Sequence, residues 1–430
     1  MKREISISFS DPQNAESLQE EPMVIHQRGD PSANESLILF VHGLGGKRYG
    51  EKSTWGNFPK FLFEDLAKVD IGMYQYRTLT GRLNFTKSVS LEDEAKVFAG
   101  LVRDQLTPYK NIVIIGHSMG GLLCKAVIHE LILKTDRNTL ARISGLILMA
   151  TPQLGSLRTP GFLSWFSQDA RALEAHGNLV TRINESFEEH IALDETINTI
   201  RKYTIPTWAV EGVSDLWVDS LSSGIGLASS RRKIVRGSHT SIVKPTDKTA
   251  DAYGWVKERI EKALNRFSYD VFIAAAMAGH KGDAEYTASR DAVLALIDVL
   301  KEKCGMKSVF YAGSNIPTTK EFDPKAMALK IDLEAMRASK YFILYYPERI
   351  PSSVLYEAGW ALILGKPSIY VIRNDQKETE GLPYLLNDAG QLLKDGRVRI
   401  FKCPDKESML KEFSGYGNEL FRLGDSALSF

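Results

Sequence analysis

Short, uninterrupted apolar runs alternate along the first part of the chain with longer stretches whose apolar positions recur every three or four residues. Ser36–Val41 (SLILFV), residues 112–115 (IVII), 143–150 (ISGLILMA) and Thr207–Gly212 (TWAVEG) are runs of the first kind. Continuous rather than alternating, they predict strands buried on both faces of a parallel sheet. Residues 70–76 and the short 233–235 read as further strands. Helical spacing fills the gaps at residues 55–66, 90–106 and 246–264. Leu91, Ala95, Phe98 and Val102 share one face of the second, and Leu122, Leu123, Ala126, Val127 and Leu131 repeat the spacing after residue 121. Strand and helix in alternation predict a parallel sheet covered on both sides. Residues 1–35 read as short strands and turns, with Ile5, Ile7 and Phe9 alternating before Asp11-Pro12 breaks the run.

Beyond residue 265 the pattern restarts. Strands are expected at 269–276 (YDVFIAAA), 309–312, 341–345 and 368–372, and helices at 285–303, 324–339 and 355–364, the first with Ala292, Leu296, Ile297 and Leu300 inward. The expected architecture is α/β throughout: a larger domain over 1–265 and a smaller doubly wound α/β domain over 266–430. Sheets of the second kind bind ligands beyond the carboxyl ends of their strands. Residues 157–203 are polar and helical in pattern, with apolar positions at Phe162, Leu163, Trp165 and Phe166. They read either as a cap over the strand ends or as a pair of packed surface helices.

A length of 430 residues fits two or three domains, and 43% hydrophobic with 25% charged residues fits a globular protein. With 54 basic against 53 acidic residues the net charge is +1, which leaves no electrostatic case for a nucleic-acid partner. The Arg231-Arg232-Lys233 run then reads as a solvated strand entrance. Cys124, Cys304 and Cys403 lie far apart with no C-x-x-C. They suggest neither a disulfide framework nor a metal site, and they suit a reducing compartment. The opening MKREISISFSDPQN lacks the apolar core of a signal peptide, and no apolar run approaches a bilayer's width. A cytoplasmic protein is expected, and no spacing calls for a cofactor.

The candidate chemistry lies at Gly116-His117-Ser118-Met119-Gly120, a G-x-S-x-G sequence between a buried strand and a helix. That context is the one a nucleophile elbow requires. Glycines two residues either side leave room for a strained turn against neighbouring elements. His42-Gly43-Leu44-Gly45-Gly46 follows an earlier strand and forms neither G-x-G-x-x-G nor a Walker lysine. Its glycines suit a close backbone approach, with the N–H groups of Leu44 and Met119 as donors to an oxyanion. Asp215 lies just past the strand Thr207–Gly212, and His239 follows the last short strand. The order Ser118, Asp215, His239 is that of a nucleophile, an acid and a base on such a sheet. Six other histidines (42, 117, 129, 176, 190 and 280) compete by composition, as do Glu211 and Asp219 for the acid; His42 and His117 sit in motif loops where each could touch substrate.

The segments HGLGG, TWGNF, GHSMGG, LMATPQLGS, EGVSDLWVDS and GSHTSIVKP together resemble intracellular lipase-like serine esterases related to the GPI-inositol deacylases, over residues 35–260. The resemblance implies an α/β-hydrolase fold acting on acyl esters, lipid or thioester substrates, with a catalytic triad of Ser118, Asp215 and His239. Gln153 stands where that group commonly has a histidine. The second half resembles nucleoside 2-deoxyribosyltransferase-like domains and, more distantly, flavodoxin-like TIR domains that cleave NAD. Its YDVFIAAA opening and the order Asp332-Leu333-Glu334, Ser352-Ser353, Glu357-Ala358-Gly359 carry that likeness. It implies that Glu357 meets the anomeric carbon of a ribosyl group, with Asp332 and Ser353 contacting ribose or nucleobase. The serine pair stands further upstream of the glutamate than the Gly-Ser pair of those families. The fusion resembles bacterial antiviral defence proteins in which a nucleotide or NAD-derived ligand controls an effector. The reverse traffic, an NAD glycohydrolase with the hydrolase domain as acyl sensor, stays open, as do a scaffold without catalysis, peripheral membrane contact and homo-oligomers.

Overall fold

The computed structural model describes residues 21–27, 34–43, 45–49, 53–76, 91–152, 170–192, 203–215, 227–265, 268–322, 324–350, 352–373, 382, 386 and 398–421. The chain divides into two compact units, with the change between Asn265 and Arg266.

In the first unit the described residues form a seven-stranded sheet. Its strands are β1 (Met23–His26), β2 (Ser36–Val41), β3 (Asp70–Tyr74), β4 (Asn111–His117), β5 (Ile143–Met149), β6 (Thr207–Gly212) and β7 (Arg232–Val235), in the order β1-β3-β2-β4-β5-β6-β7. Only β1 runs antiparallel to its neighbour, with Met23 opposite Tyr74 and His26 opposite Ile71. Alternate side chains of one strand point to opposite faces, which splits β2 between two cores. Leu37, Leu39 and Val41 pack under α2 (Leu91–Asp104) and α3 (Met119–Leu133), beside Phe98, Val102, Leu123 and Val127. Ile38 and Phe40 pack under α1 (Phe58–Asp65) and α5 (Asp251–Leu264), beside Phe58, Leu62, Val256 and Ile260. Each such side chain contributes roughly 1.5–3 kcal/mol through burial.

Two helices start later than their apolar spacing suggests, and local chemistry explains both. Gly56 has φ +51°, so the turn before α1 is left-handed and the helix begins only at Phe58. Before α5, Asp247 Oδ1 accepts from both the backbone N–H and the hydroxyl of Thr249, a side-chain turn that competes with helix. Of the expected insertion over 157–203, residues 170–190 form one helix, α4 (Ala170–His190), whose Ile183 and Phe187 pack with the core around α3. Residues 157–169, which include Phe162, Leu163, Trp165 and Phe166, and residues 193–202 lie outside the described residues, as do Ile5, Ile7 and Phe9. Among the described residues no helix is long and apolar enough to cross a membrane. Cys124, Cys304 and Cys403 are buried and free.

The described residues of the second unit form a five-stranded sheet of β8 (Tyr269–Ala275), β9 (Val309–Phe310), β10 (Ser339–Tyr346), β11 (Ser368–Arg373) and β12 (Val398–Cys403). The order is β9-β8-β10-β11-β12, parallel throughout, with Val271 opposite both Val309 and Tyr341. Helices α6 (Asp283–Glu302) and α9 (Lys406–Tyr416) cover one face through Val293, Leu296, Met409 and Phe413. Helices α7 (Lys325–Arg337) and α8 (Val354–Ile363) cover the other through Met336, Val354 and Ala358. From β8 the chain leaves to one face and from β10 to the other, which opens a crevice at their carboxyl ends. The last strand and helix, β12 and α9, have no counterpart in the sequence-based expectation. Half of VRIFKC is partly or fully exposed, so the run lacks the continuous apolar character that marks β8 and β10.

Candidate active site

Strand β4 ends at His117 and α3 begins at Met119, so Ser118 alone makes the turn between them, at φ 53° and ψ −126°. A side-chain-bearing residue held at positive φ costs on the order of 1–3 kcal/mol, and neighbouring bonds hold it there. The Ser118 N–H donates to the Met149 carbonyl of β5 at 2.9 Å, and the Gly121 N–H donates to the Ser118 carbonyl at 3.0 Å. Glycine is required around the turn by close approach. A Cβ on Gly116 would lie 2.6 Å from Gly121 Cα, and one on Gly120 would lie 2.3 Å from the His42 carbonyl oxygen.

The loop after β2 runs beside this turn: a Cβ on Gly43 would stand 2.9 Å from Ser118 Cβ and 3.1 Å from His117 Nδ1. Leu44 and Gln153 lie outside the described residues; Met119 is the first residue of α3. His42 orders the loop. Its Nδ1–H donates to the Gly43 carbonyl at 2.7 Å, its Nε2 accepts from the Tyr76 N–H at 3.4 Å, and its ring stacks on Tyr76 with centroids 4.7 Å apart. Burial pushes its pKa down to about 4, so near neutrality the ring is an uncharged strut. Nothing in the sequence singles out Tyr76 for this.

Asp215 and His239 meet. The Nδ1–H of His239 donates to Asp215 Oδ2 at 2.8 Å, with the two side chains 13% and 2% exposed. Their loops are stitched together by the Ser214 N–H on the Gly237 carbonyl at 3.0 Å. Glu211 is committed elsewhere: both its oxygens accept from Arg232, Nε and Nη2 each at 3.0 Å. That fork, and Arg231 lying 5.5 Å over the Trp208 ring, give the basic run a structural task beyond a solvated entrance. Asp219 lies outside the described residues, as does the side chain of His176. His129 and His190 bond Ser186, and His280 belongs to the second unit. His117 packs against His239 itself, with ring centroids 4.8 Å apart and its Nε2–H on the His239 carbonyl at 2.9 Å. Ser118, Asp215, His239 and the 42–46 loop follow β4, β6, β7 and β2, four parallel strands, and so gather at one edge of the sheet. An imidazole held in this way by a carboxylate can take a proton from a hydroxyl within its reach and return it to a leaving group. Among the described residues no group of three His, Cys, Asp or Glu side chains is placed to hold a metal ion.

In the second unit Glu357 sits in the first turn of α8, only 7% exposed. Burial, and then the charge of Asp332 from α7, push its pKa up to about 8, while the Ser353 hydroxyl donating at 3.3 Å opposes them. The neighbouring Ser352 Oγ is buried with no hydrogen-bond partner among the described residues. Ser353 and Glu357 thus lie together beyond the carboxyl end of β10, near enough to Asp332 for its charge to act on Glu357. A carboxyl whose folded pKa is raised from the ordinary 4.5 to about 8 keeps its proton when the unfolded chain has lost it. Its stabilising share is therefore whole below pH 4.5 and drains away as pH rises to about 8. Glu357→Gln should match wild type at pH 4 and exceed it by a few kcal/mol at pH 8. Calorimetry of both proteins at the two pH values checks this; an equal shift at both would show that ionisation is not the cause.

The fold and the strained serine turn define the class, and the chain belongs to the alpha/beta hydrolase family, whose family model matches residues 38–296. No curated protein matches the chain. Among solved structures it is similar to the type II thioesterase of the borrelidin biosynthetic cluster, at 16% identity over 56% of this chain and 95% of that one, with a TM-score of 0.35. A lipase-esterase related protein from Clostridium acetobutylicum is similar at 14% identity over 56% and 99%, with a TM-score of 0.32. A CMP N-glycosidase from Clostridium botulinum is similar at 21% identity over 34% and 98%, with a TM-score of 0.25.

Proposed function

We propose that this hydrolase is a cytoplasmic serine esterase that cleaves acyl esters, under the control of a nucleotide or NAD-derived ligand held in its second unit. The observation that carries the reading is the 2.8 Å bond from His239 Nδ1 to Asp215, at the same sheet edge as the strained Ser118. His239 takes the proton of Ser118 as the hydroxyl attacks the acyl carbon and passes it to the leaving alcohol. Asp215 fixes the imidazole tautomer and balances the imidazolium. The backbone N–H groups of Met119 and Leu44 are the proposed donors to the tetrahedral oxyanion.

The second site is read as binding its ligand rather than cleaving it. A carboxyl at Glu357 held in its protonated form is a poor partner for an oxocarbenium ion, whereas it can donate a hydrogen bond. Asp332, Ser353 and the Ser352 hydroxyl, which has no hydrogen-bond partner among the described residues, supply the polar remainder of a ribose or base contact. A ligand-sensing unit joined to a lipid- or ester-cleaving one fits the antiviral defence role that the sequence resemblance implies.

The test is a fluorophosphonate probe, applied with and without a small set of nucleotides and NAD derivatives. Mass spectrometry of the peptides is expected to find the phosphonate on Ser118, at a rate that changes with one ligand. Adduct on another serine would defeat the triad assignment, and a rate blind to every nucleotide would defeat the regulatory half.

A further inference from the structure

We propose that His117 is a positioning residue for the base, holding the main chain of His239 in place while giving that histidine an uncharged neighbour. The proposal rests on the triad reading above. Three observations carry it. The Nε2–H of His117 donates to the carbonyl of His239 at 2.9 Å, so its hydrogen bond goes to the residue that bears the base. The two rings are tilted at 48° with centroids 4.8 Å apart, and Trp55 packs edge-to-face with His117 at a centroid distance of 6.0 Å. His117 is 4% exposed, and its Nδ1 has no hydrogen-bond partner among the described residues.

These facts settle which form of the ring is present. An Nε2 that donates leaves Nδ1 as a bare lone pair. A second proton there would be buried with no acceptor among the described residues and would feel two further imidazoles, His42 and His239, against the opposing charge of Asp215. Burial accordingly pushes the pKa of His117 down to about 3. The neutrality matters at one moment of the reaction. When His239 accepts the serine proton it becomes a cation, and a charged ring beside it would raise the energy of that state. His117 therefore does two things that a purely apolar residue or a lysine could not do together: it donates one hydrogen bond to the base's backbone and it stays uncharged. It touches neither Ser118 Oγ nor substrate in this account.

Hydrolysis of p-nitrophenyl butyrate separates this role from simple packing. His117→Phe keeps a flat ring but donates nothing. His117→Gln carries an N–H the same number of bonds from Cα and does not ionise. His117→Phe is expected to lose about 10²-fold in kcat, with KM within about three-fold of wild type, because a base displaced by a fraction of an ångström affects the reaction more than binding. His117→Gln is expected to recover kcat to within about five-fold of wild type. Melting temperature is measured in parallel, so that a Phe variant that fails to fold is recognised; the comparison then rests on Gln against Asn, whose shorter side chain does not reach the carbonyl. Gln falling as far as Phe or Asn, or Phe keeping full kcat while Ser118→Ala is inactive, overturns the role of His117 alone. Full activity in Ser118→Ala overturns the triad reading and this proposal with it.

Discussion

Ser118→Ala will hydrolyse p-nitrophenyl butyrate about 10⁴-fold more slowly than wild type, and Asp215→Asn will fall by a similar factor. The alanine removes the oxygen proposed to attack. The asparagine acts through geometry: Nδ1 of His239 faces Asp215 Oδ2 at 2.8 Å, and an amide turned to donate there forces the ring proton onto Nε2. His239 then presents an N–H toward the serine and has no lone pair to receive its proton. Each loss corresponds to about 5 kcal/mol of transition-state stabilisation. Because the proposed triad works as one unit, the double variant will be no slower than the slower single one. Steady-state kinetics of the three proteins decide it, and losses that multiply in the double variant would mean that Asp215 and Ser118 act independently.

The second large effect is structural. A methyl group on Gly120 would stand 2.3 Å from the His42 carbonyl oxygen and 2.4 Å from that of Val41. Both atoms are backbone, one at the end of the interior strand β2, so no side-chain rotation relieves the clash. Gly120→Ala should cost about 3 kcal/mol or more and lower the unfolding temperature of the first unit by roughly 6–12 °C. It should also impair catalysis, since the displaced segment is the start of the 42–46 loop. Gly100→Ala is the matching control: it lies within α2 with nothing within 4 Å of its added methyl. That change should stabilise by roughly 0.4–1 kcal/mol, because alanine gives up less backbone freedom on folding. Calorimetry on the two variants is the measurement, and a Gly120→Ala protein melting with wild type would contradict the close packing of the elbow.

What could be read from the chain was local or periodic. The strands β2, β4, β5 and β8 announce themselves because most of their length is buried on both faces and so carries consecutive apolar residues. The G-x-S-x-G turn is legible because its residues stand at a fixed spacing between a buried strand and a helix. Asp215 could be preferred to Glu211 on its place beyond the strand end, although the fork from Arg232 that occupies Glu211 could not be foreseen. Features that depend on distant partners left no trace. The bond from His117 to the His239 carbonyl spans 122 residues, and the stack of His42 on Tyr76 spans 34. The edge strand β12 escaped for a different reason: a strand with one neighbour is partly exposed, and its composition then resembles a loop.

Ser118 sits at φ 53°, a conformation that glycine adopts without strain. Folding alone therefore works against the side chain at this position, since a glycine would relieve the turn and leave every backbone bond around it intact. This chain carries the hydroxyl there all the same. A lineage of this protein released from its chemistry would be expected to lose the serine early, and the fold would be none the worse for it.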